Sequence, residues 1–180
     1  LTRARREVDE GLLPSAQVAL AYEGELVAFE TFGDATNDTR YVVFSATKAV
    51  VAGAMWALLG DGLIDITLPV VAYVPEFGTN GKEAITVRHL LTHTSGLRPG
   101  LGRATAWEGW DAALKLAAAE TPTQSPGSKF VYSDINFIVL GDLVRRVSGR
   151  ELDAFVASEV FGPLGMVDTG YRRRGKASKD

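Results

Sequence analysis

The pattern of apolar and polar positions runs as a short helix, two strands, then mostly helices. Leu1, Ala4 and Val8 alternate with charged residues and Gly11 follows, which predicts a short surface helix with a glycine stop. Ala16 to Tyr22 and Glu25 to Phe32 are rich in strand formers, and Glu23-Gly24 between them is a turn signal, so this stretch reads as a β-hairpin. Gly33 to Arg40 is polar and loop-like. Tyr41-Val42-Val43-Phe44 is a short extended run that leads directly into Ser45.

From Ser45 to about Leu59 the pattern is helical, and Gly60-Asp61-Gly62 ends the helix. Ala49 to Leu59 is the longest nearly apolar stretch. It is too short to cross a bilayer and contains Gly53, so it predicts a buried helix. Pro69 and Pro75 punctuate an irregular stretch with one helical turn. Thr86 is placed to cap a helix over Val87 to Thr92, with Gly96 beyond its end. Trp107 to Ala119 is helical by pattern. Thr121 to Lys129 is a loop, Asp134 is placed to cap a helix from Ile135 to Val147 that stops before Gly149, and Glu151 to Phe161 is a last helix stopped by Gly162-Pro163. The fold class this order predicts is α+β, an antiparallel hairpin with a helical subdomain. Its parts are a helix and strands over 1–44, helices over 45–171 and a basic tail over 172–180.

Composition narrows the function. With 180 residues, 46% hydrophobic and 23% charged, the chain is of ordinary single-domain size and globular composition. A formal net charge of -3 gives no global field that would recruit nucleic acid or an anionic membrane. The absence of cysteine excludes disulfides, thiol catalysis and thiolate metal sites. No signal-peptide pattern follows the basic residues near Leu1, and the compartment stays open.

The candidate chemistry begins at Ser45-Ala46-Thr47-Lys48. A lone Ser-x-x-Lys is a weak signal, and a capping serine beside a surface lysine is its plainest reading. Its context is more informative, because it lies between an apolar run and an apolar helix. A lysine three residues after a serine shares its helical face. The positive end of the helix dipole and partial burial both disfavour a charged lysine there, so a neutral Lys48 is expected to take the serine proton. The Ser45 N–H would then face the developing oxyanion.

The segment Pro126-Gly127-Ser128-Lys129-Phe130-Val131-Tyr132-Ser133-Asp134-Ile135-Asn136-Phe137 runs from a turn into a helix. It resembles the second signature of class C β-lactamases, D-alanyl-D-alanine carboxypeptidases and related esterases. Leu90-Leu91-Thr92-His93-Thr94-Ser95-Gly96-Leu97, Leu140-Gly141 and Phe161-Gly162-Pro163-Leu164-Gly165-Met166 continue the similarity in the order expected of that family. Each motif is moderately specific, and together they cover nearly the whole chain from the hairpin onward. The resemblance implies a β-lactamase/transpeptidase-like fold, of which this chain would be the N-terminal portion. It further implies a serine hydrolase in which Ser45 is acylated by a lactam, amide or ester carbonyl. Lys48 and Tyr132 would form a joint acid/base pair, the identity of the acylation base being disputed within the superfamily.

Two positions depart from the family pattern. Asp134 stands where an asparagine is common two residues after the tyrosine; a carboxylate only accepts hydrogen bonds, so Asp134 either meets the substrate in a changed way or caps the helix. The third motif, Lys-Thr-Gly or His-x-Gly on a strand beside the site, does not occur in the 180 residues. A non-catalytic module that binds such ligands is therefore the alternative to an enzyme. His89 and His93 are four apart, a metal-site spacing, but Leu90 replaces the glutamate that metal-dependent hydrolases carry there and no third ligand is evident. No metal or other cofactor is expected. Trp107 and Trp110 read as packing. The expected partners are a small-molecule substrate and, because a lone hairpin leaves sheet edges open, a second copy or another chain completing the sheet.

Overall fold

The structure, a computed structural model, describes residues 1–102 and 108–171. Its contacts divide the chain into two compact units, Leu1–Val43 and Phe44–Asp180.

In the first unit a short helix, α1 (Thr2–Asp9), precedes an antiparallel hairpin of β1 (Ser15–Tyr22) and β2 (Glu25–Gly33). The turn residues Glu23 and Gly24 both take positive φ, 49° and 84°, the twist a two-residue hairpin requires. Pairing runs from Tyr22↔Glu25 to Ser15↔Gly33, with one irregularity between Leu20 and Ala21. The hairpin buries Phe32, and the Arg5 guanidinium of α1 stands 5.1 Å over that ring. Arg3 and Glu7 form an i,i+4 pair along the helix. Leu20, Tyr22, Leu26, Val27 and Phe29 remain exposed. Tyr41 to Val43 forms no strand.

The second unit is helical. Phe44–Ala46 makes one 3-10 turn, with Phe44 at φ 43°, and α2 (Thr47–Gly60) follows. Val51, Ala54, Met55 and Leu58 of α2 are buried at i, i+3, i+4 and i+7, the stripe of a helix with one inward face. The helix is not buried all round as its apolar sequence implied, since Trp56 points outward. Two single turns at Val70–Ala72 and Pro75–Phe77 lead to α3 (Val87–Leu91), and then come α4 (Trp110–Ala119), α5 (Asp134–Ser148) and α6 (Leu152–Val156), which a π turn extends to Phe161. Trp107 and the tail over 172–180 lie outside the described residues; α4 itself starts at Trp110.

The helix α5 packs against α2, α3, α4 and α6 and supplies Ile135, Val139, Leu140, Leu143 and Val144 to the core. Full burial of each such side chain stabilises by about 1.5–3 kcal/mol. Two buried charges are satisfied at the same time. Asp142 of α5 accepts from Arg145, Arg146 and Trp110. Lys82, fully buried, donates to the carbonyls of Thr79, Ala118 and Glu120, which closes the C-terminal end of α4.

Candidate active site

Ser45 and Lys48 come from one piece of chain in the second unit, and Tyr132 and Asp134 from another. Ser45 lies in the 3-10 turn and is exposed at the surface. Ala46 is the residue that caps α2, and no side chain bonds there, so Ser45 is not a capping serine. Lys48 falls in the first turn of α2, and its Nζ reaches the Ser45 Oγ at 3.2 Å. The same Nζ lies 4.6 Å from the centre of the Tyr132 ring. The Lys48 ammonium and the Ser45 hydroxyl both act on the Tyr132 phenol.

The surroundings of Lys48 run against the expectation of a neutral lysine. Burial opposes the ammonium, but hydrogen bonds to Asp134 and Tyr132 and the Asp134 charge outweigh it, so Lys48 is held above its ordinary value. Its Nζ donates to Asp134 Oδ1 at 2.6 Å, with the Lys48 side chain 15% exposed and that of Asp134 61%. These contacts favour the ammonium form of Lys48 over a neutral base. Tyr132 moves the other way: bonds from Lys48 and Ser45 hold its phenol below the usual value. An ammonium beside a phenol stabilises the phenolate, so the acidic proton of the pair belongs first to tyrosine.

Asp134 also departs from expectation as a cap. The N-cap of α5 is Ser133, whose backbone is extended, and Asp134 is the first residue of the helix. Its side chain is engaged by Lys48, 86 residues earlier, rather than by the helix backbone.

The segment Leu90 to Leu97 fixes the tyrosine in space. The helix α3 ends at Leu91, and His93 leaves it with φ 56°, so His89 and His93 do not share a helix face. His89 instead completes a capping box with Thr86. The His93 carbonyl accepts from the Val131 N–H at 2.8 Å and its Nδ1 accepts from the Ser133 N–H at 3.0 Å. Gly96, at φ 82°, approaches so closely that a Cβ would sit 2.0 Å from the Gln124 carbonyl oxygen; only glycine fits there. Behind them, buried Ser95 donates to Asn136 Oδ1 at 2.7 Å. Sequence reading passed over His93, Ser95 and Asn136 as site supports, although their place in a recognised motif was the available signal.

No group of metal-binding side chains is present among the described residues, and no described helix is long and apolar enough to cross a membrane.

This serine, lysine and tyrosine arrangement on an α+β scaffold is the layout of a β-lactamase-type domain. Residues 2–179 match the beta-lactamase family model, and the chain belongs to that family. It is 35% identical over 154 residues to the esterase EstB of Burkholderia gladioli, across 75% of this chain and 39% of that protein. It is 37% identical over 131 residues to the esterase/beta-lactamase LipL of Mycobacterium tuberculosis, across 71% of this chain and 30% of that protein. The octameric penicillin-binding protein homologue from Pyrococcus abyssi shares its fold with a TM-score of 0.84 at 25% identity, across 97% of this chain and 44% of that one. The chain thus spans less than half the length of each of these relatives.

Proposed function

We propose that this chain is a serine hydrolase domain in which Ser45 is acylated by small esters, β-lactams or D-alanyl peptides. The observation that carries the reading is the convergence of the Ser45 hydroxyl and the Lys48 ammonium with Tyr132, which comes from a segment more than eighty residues later. Tyr132, its phenolate favoured by Lys48, takes the Ser45 proton as Oγ attacks the carbonyl carbon and a C–O bond forms. The bond to the leaving oxygen or nitrogen then breaks, and Tyr132 returns the proton to it. Water reverses these steps at the acyl-enzyme. Lys48 stays charged and carries the hydrogen-bond link between serine and tyrosine. Asp134, with much of its carboxylate in solvent, holds Lys48 and offers an acceptor to donor groups on the substrate.

Turnover by these 180 residues is slow in this reading. Acylation needs the nucleophile, its base and one oxyanion donor. Loss of a second donor, which the family carries on the strand of the third motif, costs on the order of a hundred- to a thousandfold. The test is the intact mass of the chain after incubation with a nitrophenyl ester and with a β-lactam, beside Ser45→Ala. A persistent adduct in the parent and none in the variant supports the reading. Reversible binding with no adduct at any pH would favour a non-catalytic binding module.

A further inference from the structure

We infer that His93 is a positioning residue for Tyr132, holding the tyrosine in register for proton transfer through an imidazole that acts as an acceptor. The inference rests on the proposed role of Tyr132 and adds to the site a residue outside its serine, lysine and tyrosine set.

His93 grips the chain on both sides of Tyr132. Its carbonyl takes the N–H of residue 131 and its Nδ1 takes the N–H of residue 133, so the peptide units flanking the tyrosine are both tied to one residue. The Tyr132 ring then lies over the imidazole, with ring centres 4.5 Å apart and planes 31° apart. Phe130 and Phe137 close the imidazole from two further directions. His93 adopts φ 56°, a conformation uncommon for a residue with a Cβ and retained where the surroundings over-determine it.

The protonation state follows from the partners. Nδ1 accepts from the Ser133 N–H, so the ring proton sits on Nε2. The Asn136 side-chain nitrogen, 3.3 Å away, also faces Nδ1, and its amide is oriented by Ser95. The charges that act on His93 are the Lys48 ammonium from α2, which opposes a second proton, and the Asp134 carboxylate at the start of α5, which favours one. The Tyr132 phenol is the titratable group on the stacked ring, and on α3 the His89 ring is turned back to the Thr86 N–H. Burial, first, and then Lys48 keep His93 below its ordinary value, consistent with a standing acceptor.

Two substitutions separate positioning from bulk. In His93→Asn the amide oxygen stands as many bonds from the backbone as Nδ1 does, and asparagine tolerates left-handed φ. In His93→Phe the ring remains but the acceptor is lost. The full chain and both variants are checked for folding by circular dichroism. Two quantities are then measured: the rate of Ser45 acylation by a nitrophenyl ester, split into binding and chemical step, and the Tyr132 phenol titration, taken as the difference from Tyr132→Phe. The expected result is acylation within a few-fold of the parent for His93→Asn. For His93→Phe a fall of about a hundredfold in the chemical step, with reagent binding kept, is expected from misplacement of the proton carrier. The Tyr132 titration should rise towards an ordinary phenol in His93→Phe alone. A folded His93→Phe with parental acylation and an unmoved Tyr132 titration overturns the proposal, as does a His93→Asn that loses as much as His93→Phe. If the parent chain itself is not acylated, the hydrolase reading fails, while the titration still decides the role of His93.

Discussion

Lys48 and Asp134 form an ion pair of 2.6 Å at the centre of the candidate site, between residues 86 positions apart in sequence. The pair fixes which member of the lysine–tyrosine couple carries charge. Asp134 favours the charged form of Lys48, and the ammonium in turn lowers the Tyr132 phenol.

Asp134→Asn therefore shifts both partners in a stated direction. The Asp134 charge raises Tyr132, so its removal lowers the phenol further; the same charge and bond raise Lys48, so its pKa falls. Phenolate absorbance against pH, with Tyr132→Phe as the blank, should show the midpoint moving to lower pH. A midpoint that stays or rises would mean that the pair does not set the tyrosine.

Lys82→Met tests the closure of α4. Lys82 is buried and its ammonium donates to three backbone carbonyls; of these Ala118 keeps a second donor, the Thr79 hydroxyl, and Thr79 keeps the Lys82 backbone N–H, which leaves Glu120 to the ammonium. Leaving a buried acceptor unmet costs about 1–3 kcal/mol, so a loss of about 1–3 kcal/mol is expected by urea unfolding. A loss below about 1 kcal/mol would show that water or a rearranged α4 terminus replaces the ammonium.

Much of the fold was legible in the sequence because its cues are local. Glu23-Gly24 between two strand-forming runs specified the hairpin, the apolar spacing after Thr47 specified α2, and Thr86 specified the start of α3. The candidates Ser45, Lys48 and Tyr132 stand out through their motifs, and the structure places the Lys48 Nζ beside both of the others. What escaped depends on partners remote in the chain. The charge state of Lys48 is decided by Asp134, and the end of α4 is closed by Lys82 from 36 to 38 residues away. The cap of α5 is Ser133 and not Asp134, because Ser133 has the extended backbone that a cap requires, and sequence does not show which of two adjacent polar residues adopts it. His93 was paired with His89 by spacing, but α3 ends at Leu91, and the left-handed turn at His93 directs its ring to the tyrosine segment instead.

The hairpin carries exposed Val27 and Phe29 two residues apart on β2, and Leu20 and Tyr22 two apart on β1. Apolar strands of this kind invite pairing or face-to-face association. Light scattering of the purified chain should report association that grows with concentration and falls in the double variant Val27→Lys, Phe29→Lys. A parent chain that stays monomeric at high concentration would show that the hairpin needs no covering partner.

The pH dependence of Ser45 acylation follows from the opposite shifts of Tyr132 and Lys48. Tyr132 is lowered by its bonds to Lys48 and Ser45, so the phenolate that accepts the serine proton forms at lower pH than for a free phenol. Lys48 is raised despite burial, so the ammonium that stabilises this phenolate persists to higher pH than for a free lysine. Acylation should rise as pH climbs through the lowered tyrosine value, hold while lysine remains charged, and fall only as Lys48 loses its proton. A positioned general base contributes roughly a hundred- to ten-thousandfold. Tyr132→Phe should lose acylation on that scale together with the rising limb, while reagent binding is retained because the phenyl ring keeps its stacking on His93. Rates of nitrophenol release across pH, for the parent and Tyr132→Phe, check this directly. If the variant is acylated at the parental rate with the same rising limb, the base is not Tyr132, and the proton must leave Ser45 through Lys48 after its own deprotonation.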